Sequence, residues 1–514
     1  MNPSPKSRTD RLATNAVFGV LAWLLPILIG FFTTPILVRG LGNENYGLYA
    51  VITGFMAYSF SFGVGKIAAK YVSEYRASGE TEKLNPVISA TFAFSFAIAL
   101  TGTTVLALFA RTIVTNVLLI TGPAVEVAVT SLYLACAISF ATMLGQIYQY
   151  TLQGLHRFGS FLLLTNINGL LLGVGNIAIV LAGGGIVMLL VWNAAVAALI
   201  GVLFYIVARR GMPGLALTFN ISRDTFRSVA GYGTSIIFYQ VFANILFIFE
   251  RSLIMRKFGA EALAFYSVPM LLAIYLHSFV SSFAVVLFPM VNELLADRER
   301  QAELYRKASK IILAVVVFVV TTFICTGRYG LEVWINREFA ENSYDLLVVH
   351  SLTFGAIAMG VIAWQIAEGF GHARINAFIT ATWLVVTVPL MLFAAESYGT
   401  VGVALARLAA ICVTLPVILY CERKFLGESL AGFWVSSIAR IAVAAAATSL
   451  VETLIVRSLP VGWGMLALAG LLGAATFALA VYLTAFFTPE ERNLLTNLLA
   501  SKLGRRAKSA PAGQ

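Results

Sequence analysis

The chain has 514 residues, of which 59% are hydrophobic and only 11% charged, with a mean hydropathy of +0.87. A soluble domain carries about 25% charged residues, so this composition excludes a water-soluble globular protein and makes lipid the solvent. The net charge of +11 does not mark a nucleic-acid binder, because the basic residues sit in short loops between apolar runs and form no contiguous patch. Cys136, Cys325, Cys412 and Cys421 are scattered and give neither a disulfide framework nor a metal-binding pair.

A helix needs about 20 apolar residues to cross a bilayer. Runs of that length occur at 13–38, 46–69, 86–110, 125–151, 161–182 and 186–208, then at 228–249, 262–291, 311–330, 345–369, 377–396 and 399–420, and last at 434–456 and 461–487. The first follows Lys6, Arg8 and Arg11 but is too long for a cleaved signal segment, so it reads as a retained helix. The expected fold class is all-α and integral to the membrane, with about fourteen transmembrane helices. Its expected task is to move a substrate across.

Orientation follows from the basic residues of the loops. With the N-terminus in the cytoplasm, that side holds Lys70, Arg76, Lys83, Arg209, Arg210, Arg223, Arg227 and the cluster from Arg298 to Lys310. The opposite side holds far fewer, among them Arg39, Arg111, Arg328 and Arg457. Both termini are therefore expected in the cytoplasm. The loops are too short for a folded extramembrane domain, which leaves the helix bundle to carry the function. After the last run, Thr488-Pro489-Glu490-Glu491 has the form of a capping box with proline at the first helical position. Leu494, Leu495, Leu498, Leu499 and Leu503 then share a helical face ahead of Arg505, Arg506 and Lys508, as in an amphipathic anchor on the inner leaflet.

The chain also repeats itself. Residues 39–51 (RGLGNENYGLYAV) and 256–268 (RKFGAEALAFYSV) match in Arg, Gly, Glu, Tyr and Val at a separation of 217. Gln153-Gly154-Leu155-His156-Arg157 and Glu368-Gly369-Phe370-Gly371-His372-Ala373-Arg374 form a second pair, with Phe161 and Phe378 in the same register. A six-helix unit inserts twice in the same orientation, which predicts two pseudo-symmetric lobes related by an axis along the membrane normal, a plan used by transporters. The expected organisation is an N-terminal lobe at 1–208, a cytoplasmic linker at 209–227, a second lobe at 228–420, helices thirteen and fourteen at 421–487, and a basic tail at 488–514.

Three segments resemble the polysaccharide repeat-unit (O-antigen and exopolysaccharide) flippases of the multidrug/oligosaccharidyl-lipid/polysaccharide exporter superfamily. They are residues 39–51, residues 62–80 (FGVGKIAAKYVSEYRASGE) and residues 249–268 (FERSLIMRKFGAEALAFYSV). The resemblance implies a V-shaped bundle of two lobes around a cavity. It also implies passage of an undecaprenyl-pyrophosphate-linked oligosaccharide from the inner to the outer leaflet of a bacterial cell (inner) membrane by alternating access. Family members often carry an Asp-Arg pair at the end of helix seven, where Glu250-Arg251 stands here.

Ionisable residues inside membrane helices are costly and so are functional candidates by default. A lipid pyrophosphate needs cationic compensation, which Arg and Lys supply. Lys66, at the inner end of helix two, reads equally as a pyrophosphate contact and as a side chain reaching to the headgroups. Arg251 reads as an ion pair with Glu250 or as a substrate contact, and Arg407 in helix twelve as a buried pair or a cavity residue. His277, in the middle of helix eight, reads as a protonation switch or a hydrogen-bond partner for sugar, or else as a packing residue. Gln240 and Asn244 share a face and suit either sugar hydroxyls or interhelical hydrogen bonds. Those seven are the candidate substrate-binding residues.

The sequence contains no P-loop, HExxH or GxSxG motif, so no catalytic residue, metal or cofactor is assigned and no enzyme is expected. Transport energy is then expected from H+ or Na+ gradients, the membrane potential or removal of product. Expected partners are the lipid-linked oligosaccharide and membrane lipid, with a polysaccharide polymerase and chain-length proteins as further candidates. Two rivals remain. A drug or cation exporter of the same fold would favour acidic cavity residues. A membrane-embedded polymerase or ligase would need a larger external loop.

Overall fold

The structure is a computed structural model that describes residues 8–59, 63–218, 221–293, 298–369, 373–412, 415–427 and 429–492. The helices are α1 Arg8–Leu41, α2 Asn43–Ser59, α3 Gly65–Ser78, α4 Leu84–Leu108, α5 Ala124–Gly154, α6 Phe158–Leu181, α7 Ile186–Gly211 and α8 Arg223–Glu293. They continue as α9 Arg298–Trp334, α10 Arg337–Met359, α11 Val361–Gly369, α12 Ala373–Ile411, α13 Leu415–Cys421, α14 Ala431–Ser458 and α15 Trp463–Leu483. There is no strand among the described residues. Lipid leaves no water to bond a free peptide group, and the helix satisfies its own.

Among the described residues, 11 helices are long and apolar enough to cross a membrane, so the chain is a multi-pass membrane protein. Its outward faces agree: Leu181 is 74% exposed, Phe393 73% and Leu471 71%, a cost in water that vanishes against acyl chains. The run at 46–69 differs from expectation. It is divided between α2 and α3, of 17 and 14 residues, and the described chain between them includes Gly63 with φ of +63°. Left-handed backbone of that kind ends a helix and is open to glycine without strain. Within α8 and α12, Gly259 (φ 86°, ψ 179°) and Gly399 (φ 61°, ψ −143°) are non-helical, so each long helix is two helices joined by one residue.

The helices group into two compact units, each built from two stretches of chain. The first holds residues 1–271 and 377–410. At its centre α5 packs against α2, α3, α4 and α7, while α6 lies along α1. Small residues allow the close approaches: a β-carbon on Gly145 would stand 3.0 Å from the α-carbon of Gly201, and one on Gly173 2.4 Å from Ile29. Lipid tails compete with any apolar side chain, so membrane helices are held by such close packing more than by the hydrophobic effect. Ile67, Ile88, Ile147 and Leu152 are fully buried there.

Two regions of the predicted repeat meet inside this unit. Gly42 and Gly259, 217 residues apart, both have left-handed backbone, with φ of 78° and 86°. The residues after them touch. Asn43 Nδ2 donates to Glu261 Oε1 at 3.3 Å, and a β-carbon on Gly47 would lie 1.7 Å from the carbonyl oxygen of Ala260. Gly47 is therefore required by contact with backbone rather than by its dihedral angles.

The second unit holds residues 272–376 and 411–514. Here α9 is central, packed by α10, α14 and α15. Tyr305 of α9 donates to Glu422 Oε1 at 2.7 Å, and Trp434 Nε1 donates to the same oxygen at 2.7 Å, which ties the turn after α13 to α9 and α14. The capping box after α15 forms as the sequence suggested: Thr488 N donates to Glu491 Oε2 at 2.7 Å and Glu491 N to Thr488 Oγ1 at 3.3 Å. Lys310 pairs with the same carboxylate at 2.9 Å, docking the start of the tail on α9. The expected leucine face from Leu494 and the basic end at Arg505 lie outside the described residues.

Candidate functional site

The first half of α8 carries the stripe Gln240, Asn244, Phe247 and Arg251. Spacings of four, three and four place them on one helical face. Gln240 Nε2 donates to Asn244 Oδ1 at 3.1 Å, so the shared face expected of these two amides is realised. Phe247 stacks on Tyr58 of α2, with ring centroids 4.6 Å apart and planes 3° from parallel. The Arg251 guanidinium lies over that Tyr58 ring at 5.1 Å, and its Nη1 donates to the Phe247 carbonyl at 3.4 Å. Gly54 makes the room, since a β-carbon there would lie 2.6 Å from Arg251 Cδ.

Glu250 points elsewhere, because neighbours on a helix diverge by about 100°. Its partner is Arg407 of α12, and both side chains are fully buried. Tyr266 donates to the other carboxylate oxygen, and the Arg407 guanidinium sits 4.5 Å from the Phe247 ring centroid and 5.9 Å from that of Trp383. The ion pair expected between Glu250 and Arg251 is corrected by this geometry, while the buried pair considered for Arg407 is present. The result is a neutral, cation–π-flanked knot in which every charge has a partner, the condition for burying charge at all.

Arg251 is different. It is half-buried, and its Nε, fully enclosed, has no hydrogen-bond partner. A guanidinium stacked on an aromatic face keeps its edges for planar acceptors such as phosphate or carboxylate. Five of the seven sequence candidates, Gln240, Asn244, Glu250, Arg251 and Arg407, thus gather within the first unit. Lys66 belongs to that unit too, but it sits at the start of α3 and is exposed. His277 belongs to the second unit, half-buried, with its ring 6.4 Å from that of Phe354 in an edge-to-face arrangement.

Sequence reasoning missed Tyr266, Tyr58, Phe247 and Trp383, which build the walls of this site. Tyr266 had a signal: it is the repeat partner of Tyr49, and Tyr49 likewise hydrogen-bonds a polar side chain, Asn193. Two further acids, Glu422 and Glu452, are buried in the second unit and carry no distinguishing motif in the sequence.

The described residues, helical and without a strand, have the fold of solved lipid flippases and multidrug exporters. It aligns with "Lipid II flippase MurJ, inward closed conformation" at a TM-score of 0.73 and 13% identity, over 93% of this chain and 100% of that one. It aligns with an inward-facing multidrug resistance MATE family transporter of the MOP superfamily at 0.66 and 15% identity, over 79% and 98%. Residues 12–295 match the family described as polysaccharide biosynthesis protein, and the chain belongs to that family. A curated relative, the "Putative O-antigen transporter" of Shigella flexneri, is 23% identical over 407 residues, covering 76% of this chain and 93% of its own length.

Proposed function

We propose that this protein is a flippase, not an enzyme, that carries an undecaprenyl-pyrophosphate-linked oligosaccharide from the inner to the outer leaflet by alternating access. The observation that carries the reading is family membership in polysaccharide biosynthesis across residues 12–295 joined to the fold of a lipid II flippase over nearly the whole chain. The relative named for O-antigen transport supports the same substrate class. In this reading Arg251 meets the pyrophosphate, Gln240 and Asn244 meet sugar hydroxyls, and the Glu250–Arg407 pair holds α8 and α12 in place around them. Lys66 meets the phosphates at the inner end, and His277 belongs to the substrate path.

The lobes at 1–208 and 228–420, the inner-membrane location and the cytoplasmic termini belong to the same proposal, supported by the basic bias of the loops. So do coupling to H+ or Na+ and association with a polymerase and chain-length proteins. A MATE-like exporter of cations is the second reading, favoured by the fold match alone. The half-buried cation Arg251, with a free donor and stacked on Tyr58, argues for an anionic substrate instead. Reconstitution decides between them. Proteoliposomes are expected to move a fluorescent lipid-linked oligosaccharide between leaflets, more slowly with Arg251→Ala. Extrusion of a cationic dye without movement of the lipid-linked sugar would overturn the proposal.

A further inference from the structure

Glu452 lies in α14, within the membrane-crossing part of the second unit, and its side chain is fully buried. No cation stands within ion-pair distance of it among the described residues, unlike Glu250 or Glu491. Thr322 of α9 donates to its Oε1 at 2.8 Å. Its Oε2 has no hydrogen-bond partner, and neither has the buried hydroxyl of Thr448, one turn earlier on the same face. The carboxyl group is pressed onto α15 at Gly473, where a β-carbon would lie 2.3 Å from Oε1. The sequence therefore places a glycine opposite an acid that a larger residue would displace.

An unpaired carboxylate is costly in such surroundings, whereas the neutral acid needs only one donor and one acceptor contact. A hard metal cation is a poor occupant, because it takes about six or more oxygens and the contact with Gly473 leaves no room for them. We propose that Glu452 is a proton-binding site of the transport cycle. It is loaded while α9, α14 and α15 are closed around it and unloaded when their separation admits water to Oε2. The other titratable groups on these helices stand apart from it or serve other contacts. The exception is Cys325, whose thiol lies within reach of the Glu452 carboxyl and also donates to the Ser449 carbonyl at 3.9 Å. Tyr329 packs with Val456 and Met465 at one end, Arg328 and Arg457 lie exposed beyond it, and Arg440, Lys310 and Tyr482 lie towards the other end. The link to transport rests on the flippase reading above; the proton site itself does not.

The test joins two measurements on the full chain. Infrared difference spectra of the reconstituted protein are expected to show a carboxylic-acid C=O band that is absent in Glu452→Gln and shifted in Thr322→Val, which removes the donor to Oε1. Leaflet exchange of lipid-linked oligosaccharide is expected to change several-fold with an imposed pH gradient in the native protein and to be indifferent to it in Glu452→Gln. An ionised carboxylate at every pH, an undiminished pH response in Glu452→Gln, or a response to Na+ in place of H+ would each overturn the proposal. If the native protein moves no lipid-linked sugar while the acid band is present and assigned by both variants, the flippase reading fails and the proton site stands.

Discussion

Removing Arg407 tests how the buried pair is held. A carboxylate and a guanidinium in contact, ~3 Å apart, attract by about 5–6 kcal/mol at an effective dielectric of about 20. That gain is set against the desolvation of two fully buried side chains. Because the two terms nearly cancel, the intact pair adds little net stability, whereas losing one partner leaves the other charged in a closed site and costs about 3–5 kcal/mol. Tyr266 softens the loss, since its hydroxyl still donates to Glu250, and the aromatic faces of Phe247 and Trp383 accept a leucine at 407. Arg407→Leu is therefore expected to destabilise by about 3 kcal/mol or more, Glu250→Gln by a similar amount, and the double variant by less than either alone. The buried thiols of Cys136 and Cys421 supply the assay: unfolding in detergent exposes them to a thiol-reactive fluorophore, above a constant signal from exposed Cys412. Additive losses in the double variant, or an Arg407→Leu protein as stable as the native one, would refute a desolvated and mutually dependent pair.

Three further outcomes follow from the same geometry. Gly47→Val is expected to unfold or misassemble the first unit, because its β-carbon would lie 1.7 Å from the Ala260 carbonyl oxygen and overpacking costs about 1–3 kcal/mol even where side chains can yield; yield and thermal stability in detergent measure it. Gly42→Ala and Gly259→Ala are each expected to cost about 1–3 kcal/mol because both positions need positive φ, a loss read by denaturant titration. Thr488→Ala is expected to cost about 0.5–2 kcal/mol locally by removing a cap, read as faster amide hydrogen exchange at Glu491 with the core unchanged.

The helices were legible because lipid enforces a simple rule, a long apolar run for each crossing. The rule failed where backbone rather than hydropathy decides. Residues 46–69 form an apolar run, uncharged apart from Lys66, yet the described chain between α2 and α3 includes Gly63 with positive φ, and a dihedral angle is not written in hydropathy. The likeness of residues 39–51 and 256–268 was visible because a short segment between two apolar runs carries enough composition to match, and Gly42 and Gly259 share positive φ. In the site, the spacing of Gln240 and Asn244 was sufficient, since a helix fixes neighbours four apart. The partner of Glu250 was not legible, because Arg407 lies 157 residues away and nearest in sequence stood Arg251, which the helix turns away.

The two arginines of the site, alike in sequence, are set apart by what surrounds them. Arg407 has its charge met by Glu250 and its faces covered by Phe247 and Trp383, so an incoming anion would have to break a buried pair to reach it. Among the described residues Arg251 is met by a carbonyl and by the π-faces of Tyr58 and Phe247, contacts that leave its net charge in place. Substituting lysine separates the two roles, since an ammonium lacks the planar fork that both pair and stack. Arg407→Lys is expected to lower stability with little effect on substrate affinity in the protein that folds. Arg251→Lys is expected to cost no more than about 1–2 kcal/mol of stability, the scale of a partly buried cation–π contact, and to weaken transport of a pyrophosphate-linked substrate. Equal effects of the two substitutions on both readouts would mean that Arg251, like Arg407, is part of the scaffold.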